Sequence, residues 1–143
     1  MLYFDTSFLL SYFTTEASST AVEAFFSRHD FESFTISQWT ATEFHSAISF
    51  KIRSGQLAAA MQDAILERFA TARAETFLVV LPTAADFELA SGLLRDWKSG
   101  LRSSDALHLA IARNREATLV TLDKTLLKAA RSLKIAHKTL PGS

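Results

Sequence analysis

What most constrains this chain is a repeated change of period, in which short apolar runs give way at once to helical spacing. LYF (2–4) leads into TSFLLSYF, FTIS (34–37) into TATEFHSAISFKI (40–52), FLVVLP (77–82) into a segment running to Trp97, and TLVT (118–121) into KTLLKAARSL (124–133). Runs this short suit strands, and the segments that follow place apolar residues on one side of a helix, as Ala41, Phe44, Ile48 and Ile52 do. Strand–helix alternation predicts an α/β fold: a three-layer α/β/α sandwich around a mainly parallel sheet.

The intervening pieces complete the expected layout. Residues 20–29 carry apolar positions at 22, 25 and 26 and read as a helix, and the alanine-rich stretch 57–72 reads as a long helix after a turn at Gly55. FLVVLP is continuous enough to suggest a strand buried on both faces and ended by Pro82. Thr83 with Asp86, and Thr40 with Glu43, have the spacing of capping boxes. KSGLR is a connector into a helix over 103–115, and IAHKT is a last extended segment.

At 143 residues the chain fits one domain, 1–143, with enough length to bury a core. Charge excludes little: 15 basic residues balance 15 acidic ones, so no net field advertises nucleic acid or a membrane surface. Cysteine is absent, which removes disulfides and thiolate metal sites. MLYFDTSFLLSYF lacks a basic leader and reads as a strand entering a helix, and no run approaches the roughly 20 apolar residues of a membrane span. A cytoplasmic protein is expected.

Four acids share a position that capping does not require of them. Asp5 ends the first strand, Glu43 lies early in the helix after the second, Asp105 sits in the first turn of its helix, and Asp123 follows TLVTL. Each could be a cap or a first-turn charge. In a parallel sheet, however, all four fall at the same edge, where ligand sites of open α/β sheets form. Crowded carboxylates repel unless a proton or a cation intervenes, and Mg2+ or Mn2+ favours oxygen donors. Ser7 and Thr121 could hydrogen-bond these acids, or could serve only their own turns. His108, one turn beyond Asp105, reads as a surface or half-buried histidine bonded to a neighbour, since a hard-metal oxygen site does not need it. No glycine-rich phosphate loop or dinucleotide fingerprint is present.

The motifs YFDTSFLLSYF, TATEFHSAI, SSDALHLAIA and LVTLDKTLLKAA, in that order from residue 3 to about 130, resemble those of the PIN domain, a small metal-dependent nuclease fold that includes VapC-type toxins. The resemblance implies Mg2+ or Mn2+ held by Asp5, Glu43, Asp105 and Asp123 as metal and catalytic carboxylates. Asp123 departs most from the pattern, since Leu126 stands where family members often have Phe. The implied activity is endoribonucleolytic, as the toxin of a type II toxin–antitoxin pair with a small VapB-type antitoxin and a homodimeric arrangement, to which the helix 57–72 could contribute. A structure-specific DNA nuclease and an inactive PIN-like binding or assembly protein are the alternatives. Substrate capture needs cations for phosphate. Arg102, three residues before Asp105, is the first candidate and Lys98 the second, with Lys51, Arg53 and Lys124 behind them.

Overall fold

The computed structural model describes residues 1–141. Five strands, β1 (Leu2–Phe4), β2 (Phe34–Ser37), β3 (Leu78–Val80), β4 (Thr118–Val120) and β5 (His137–Lys138), form one sheet in the order β3-β2-β1-β4-β5. Every neighbouring pair is parallel. Among the described residues seven α-helices supply the crossovers: α1 (Thr6–Phe13), α2 (Ser19–Arg28), α3 (Gln38–Arg53), α4 (Gln62–Glu75), α5 (Ala84–Leu93), α6 (Ser103–Asn114) and α7 (Lys124–Ser132).

Strand alternation divides the core between the two faces of the sheet. Phe4, Ile36 and Val120 pack with Phe8 and Leu9 of α1, Phe25 of α2, Phe44 and Ile48 of α3 and Phe69 of α4. Their residue neighbours Tyr3 and Leu119 turn the other way, onto Ala90 of α5, Leu109 and Ile111 of α6 and Leu126 of α7. The result is the expected α/β/α sandwich. Phenylalanine dominates the first face, with Phe4 against Phe8, Phe25, Phe26, Phe34 and Phe77, and Phe44 stacked on Phe69 at 4.1 Å between ring centroids. Such ring pairs add to the transfer free energy of a side chain that is already large.

Four local expectations change. The helix after β2 begins at Gln38 and is capped by Ser37, whose side chain accepts from Thr40 N–H, so Thr40 is the third helical residue and Glu43 takes no part in the box. The stretch 77–82 is not buried on both faces: β3 is an edge strand paired only to β2, with Leu78 56% and Leu81 70% exposed. The long helix expected over 57–72 is a short 3-10 turn at Ala59–Met61 followed by α4. Alanine propensity is present there, but Ala58, Ala59 and Ala60 lie exposed, with no burial to offset the cost of starting a helix. The helix after Pro82 ends at Leu93, before Trp97, although its Thr83–Asp86 capping box forms as read.

The strand order reverses between β1 and β4, because the chain builds β2 and β3 outward on one side of β1, and β4 and β5 on the other. In open α/β sheets the diverging connections at such a point leave a crevice beyond the carboxyl ends of the strands. Asp5 leaves β1 there, and Thr121 and Asp123 leave β4 there.

Candidate active site

Asp5 is the anchor of this crevice. It caps α1 by accepting Phe8 N–H at 3.2 Å, and it is only 4% exposed. Ser7 Oγ donates to it at 2.7 Å and Thr121 Oγ1 at 2.6 Å, which joins the ends of β1 and β4 through one carboxylate. Thr121 Oγ1 in turn accepts Asp123 N–H at 3.0 Å, and Leu122 N–H donates to Ser7 Oγ. The two hydroxyls singled out in the sequence therefore meet at Asp5. Burial pushes the Asp5 carboxyl above its ordinary range, while the His108 charge and the Thr121, Ser7 and Phe8 donors pull it down.

Glu43 projects from the second turn of α3, half-buried. Its Oε2 accepts from Thr6 Oγ1 at 2.7 Å and bonds His108 Nε2, and Ser104 adds a further hydrogen bond. Burial alone would raise Glu43, but the His108 contact, followed by Thr6 and Ser104, outweighs it and holds the carboxyl below its ordinary value. His108 is 3% exposed, which corrects the half-buried reading. Its Nδ1 lies 2.8 Å from Tyr3 Oη, itself 2.9 Å from Ser37 Oγ. Burial favours neutral imidazole, yet Tyr3, Glu43 and Asp5 push His108 up to about 10.

Asp105 and Asp123 stand at the outer side of the group, both partly exposed. Asp105 Oδ2 accepts Arg102 N–H at 3.0 Å, and Asp123 caps α7 by accepting Leu126 N–H at 2.9 Å. Burial raises Asp105 first; the Arg102 N–H lowers it, and the Asp123 and Glu43 charges raise it again. Asp105 is thus close enough to Asp123 and Glu43 to feel their charges.

The cations divide. Lys51 is paired with Glu16 at 2.8 Å, whereas Arg53 donates to the neutral Ser49 hydroxyl at 2.6 Å and keeps its charge and further N–H donors. Arg102 and Lys124 are exposed at the first turns of α6 and α7, and Lys98 lies over the Trp97 ring at 5.4 Å. Among the described residues Arg102 and Lys98 form no ion pair.

The model of the family described as the PIN domain matches residues 2–132. The chain belongs to the PIN domain family. Solved structures with the same fold include FitAcB from Neisseria gonorrhoeae, 16% identical over 96% of each chain with a TM-score of 0.75. VapC20 from Mycobacterium tuberculosis, a sarcin-ricin loop cleaving toxin, is 17% identical over 90% of this chain and 95% of that one, with a TM-score of 0.71. VapBC2 from Rickettsia felis, bound to a DNA fragment from its promoter, is 14% identical over 97% and 98%, with a TM-score of 0.69. At these identities the structural likeness shows the fold. A search of curated proteins finds no match.

The donor chemistry of this PIN domain suits a hard divalent cation, since the residues brought to the crevice are carboxylates whose mutual repulsion a cation relieves. The positions are not those of a formed site: among the described residues no three Asp, Glu or His groups are gathered to hold one ion. Both Asp5 oxygens and Glu43 Oε2 are instead held by protein donors. Sequence reasoning missed the Tyr3–His108–Glu43 connection and Ser104, which pattern could not reveal because their partners lie in distant elements. Among the described residues no helix is long and apolar enough to cross a membrane.

Proposed function

We propose that this PIN domain is a Mg2+- or Mn2+-dependent endoribonuclease acting in the cytoplasm as the toxin of a type II toxin–antitoxin pair. The observation that carries the reading is that Asp5, Glu43, Asp105 and Asp123 lie along the carboxyl edge of the sheet around the β1/β4 switch point, with Asp105 raised by burial and then by the Asp123 and Glu43 charges. Those four carboxylates would hold the cation, which when bound supplies Lewis-acid stabilisation of phosphoryl charge and lowers the pKa of a water ligand. Asp5, locked by Ser7 and Thr121, has the least freedom and would set the position of the site. Hydrolysis adds a water oxygen to phosphorus and breaks the bond to the 3′-oxygen, leaving a 5′-phosphate and a 3′-hydroxyl. Arg102 and Lys98, on the connector into α6, would hold flanking phosphates.

The reading is supported by the family and by the fold shared with a sarcin-ricin loop cleaving toxin and with VapBC2. A VapB-type antitoxin and a homodimer belong to the same reading, and the likeness to VapBC2 supports the antitoxin partner. A second reading, a PIN-like binding protein without turnover, has one observation in its favour: the acids are not gathered around a common point.

The test is cleavage of matched RNA and single-stranded DNA in Mg2+, Mn2+ or EDTA, by wild type, Asp5→Asn and Asp105→Asn. Metal-dependent RNA cleavage lost in both folded variants supports the proposal. Cleavage that persists in EDTA or survives both substitutions overturns it. Metal binding with no turnover on any substrate favours the second reading, and DNA-restricted cleavage makes the chain a DNA nuclease. Expression should arrest growth in wild type and not in Asp5→Asn, with rescue by co-expression of the adjacent gene's product.

A further inference from the structure

Beside the carboxylates lies a small cavity that the reaction as described does not use. It is bounded by Trp39 of α3, Phe87, Ser91 and Leu94 on and just beyond α5, and Ser103 and Leu107 of α6, and encloses about 140 Å³. Pockets that take whole drug-sized ligands are larger, about 300 Å³ and upward, so this space suits one flat heterocycle. Two elements tie it to the acids. Ser103 lines it, Ser104 bonds Glu43, and Asp105 is the next residue along α6. Trp39 and Glu43 are four residues apart on α3, which places them on one face of that helix.

The walls have the chemistry of a stacking site. Phe87 is 53% exposed and presents its ring at the mouth of the cavity, and Leu94 and Leu107 supply further apolar lining. Trp39 Nε1–H is buried with no acceptor, a donor whose desolvation nothing in the protein compensates. Ser91 and Ser103 add hydroxyls at the rim. Just beyond, Trp97 is 81% exposed with the Lys98 ammonium over its ring, and Arg102 precedes Ser103. Aromatic rings interleaved with cations are what single-stranded nucleic acid requires: π-faces for unstacked bases and charge for the backbone between them.

We infer that the cavity between Trp39, Phe87, Leu94 and Leu107 is a subsite for one unstacked nucleobase of a single-stranded RNA whose phosphate lies at the Asp5–Glu43–Asp105 acids. The base enters edge first and packs against Phe87. A small turn of the Trp39 indole gives its N–H to a carbonyl or ring-nitrogen acceptor on the base edge. The inference rests on the ribonuclease reading and adds to it where the substrate is read: at the base adjoining the cleaved bond, by stacking and one edge donor.

Binding in EDTA separates this subsite from catalysis. Short homopolymeric RNAs (oligo-U, oligo-A and oligo-C), and the same RNAs with an abasic position, are titrated onto wild type, Phe87→Ala and Ser91→Leu. Phe87→Ala removes an exposed ring, and Ser91→Leu plugs the cavity from an exposed position, so both should fold. In a Trp97→Phe background Trp39 is the sole indole, and its emission should respond to intact RNA and not to RNA abasic at the bound position. Affinity should fall roughly 5- to 100-fold in either variant, the span of one lost base stack. The abasic RNA should bind wild type as weakly as the intact RNA binds the variants.

Unchanged affinity in both variants, with cleavage by wild type intact, overturns the subsite and leaves the ribonuclease reading standing. Wild type that neither binds nor cleaves any RNA overturns both. If Phe87→Ala converts a dimer to a monomer by sedimentation while RNA affinity is unchanged, the cavity is an interface for a second copy of this chain and the subsite is overturned.

Discussion

Glu43 and His108, 65 residues apart in sequence, are bonded side chain to side chain across the carboxyl edge of the sheet, and His108 is anchored behind by Tyr3 Oη at 2.8 Å. The contact holds the most mobile kind of acid in the site, a glutamate on a helix, at a position defined by three elements. It also fills one oxygen of Glu43 with a protein donor.

Replacing His108 with Leu should expose how much of the fold depends on that connection. The substitution leaves Tyr3 Oη and the Glu43 carboxylate without a shared partner in a buried setting, and a cost of about 2–4 kcal/mol follows. Urea unfolding should show a lower midpoint with an unchanged slope. A midpoint equal to wild type would mean that Glu43 finds solvent without loss.

Divalent cation should stabilise the folded protein in a way that depends on the acids. Mn2+ at about a hundred times its dissociation constant adds about 2.7 kcal/mol if only the folded state binds it. Thermal unfolding should move upward with Mn2+ in wild type and stay still in Asp105→Asn, because that change removes both a donor and the repulsion from Asp123 and Glu43. Equal shifts in the two proteins would put the bound cation elsewhere.

Thr121→Val keeps the β-branched shape and deletes one hydroxyl. That hydroxyl donates to Asp5 at 2.6 Å and accepts from Asp123 N–H, so its loss strands groups on both sides of the switch point. The expected cost is about 1–3 kcal/mol, together with a fall in kcat larger than any change in KM, since Asp5 loses a positioning contact and the RNA loses none. Steady-state kinetics on the folded variant distinguishes this from simple destabilisation.

Asp86 offers a stability test remote from the acids at the crevice. It is fully buried, accepts Thr83 N–H and Asn114 Nδ2–H at 2.8 Å each, and pairs with Arg115 at 2.9 Å, which ties the start of α5 to the end of α6. Burial raises its carboxyl, but Thr83, Asn114 and Arg115 outweigh burial and hold it below its ordinary value of 3.8. A depressed folded pKa stabilises the protein above pH 3.8 and loses that contribution as pH falls through the lower, folded value. Asp86→Asn should cost about 2–3 kcal/mol at neutral pH. The gap between the variant and wild type should narrow on acidification below pH 3.8. A gap independent of pH would assign the loss to packing.

Much of the architecture was legible because it is written in local periods. The alternation of apolar runs with helical spacing carries the parallel sheet, since each short strand must be followed by a crossover, and Thr83 with Asp86 forms its box within four consecutive residues. The placement of the acids in their elements was legible for the same reason: Asp5 follows β1, Asp123 precedes α7 after β4, and Glu43 and Asp105 lie in the first two turns of α3 and α6. The errors arise where local signals compete. Thr40–Glu43 satisfies the sequence pattern of a capping box, but the box that forms is Ser37 with Thr40, and the helix starts at Gln38. The apolar run 77–82 looks like a central strand, but its place at the sheet edge depends on strand order, which no single segment encodes.

By itself, then, the sequence determined that Asp5 and Asp123 would follow strands and that Glu43 and Asp105 would lie near helix starts, because strand and helix ends are local properties. The tertiary structure alone decided which donors each acid meets. Thr121 reaches Asp5 and His108 reaches Glu43 only after β4 and α6 have packed beside β1 and α3, and such contacts between distant segments depend on the geometry of the whole sheet.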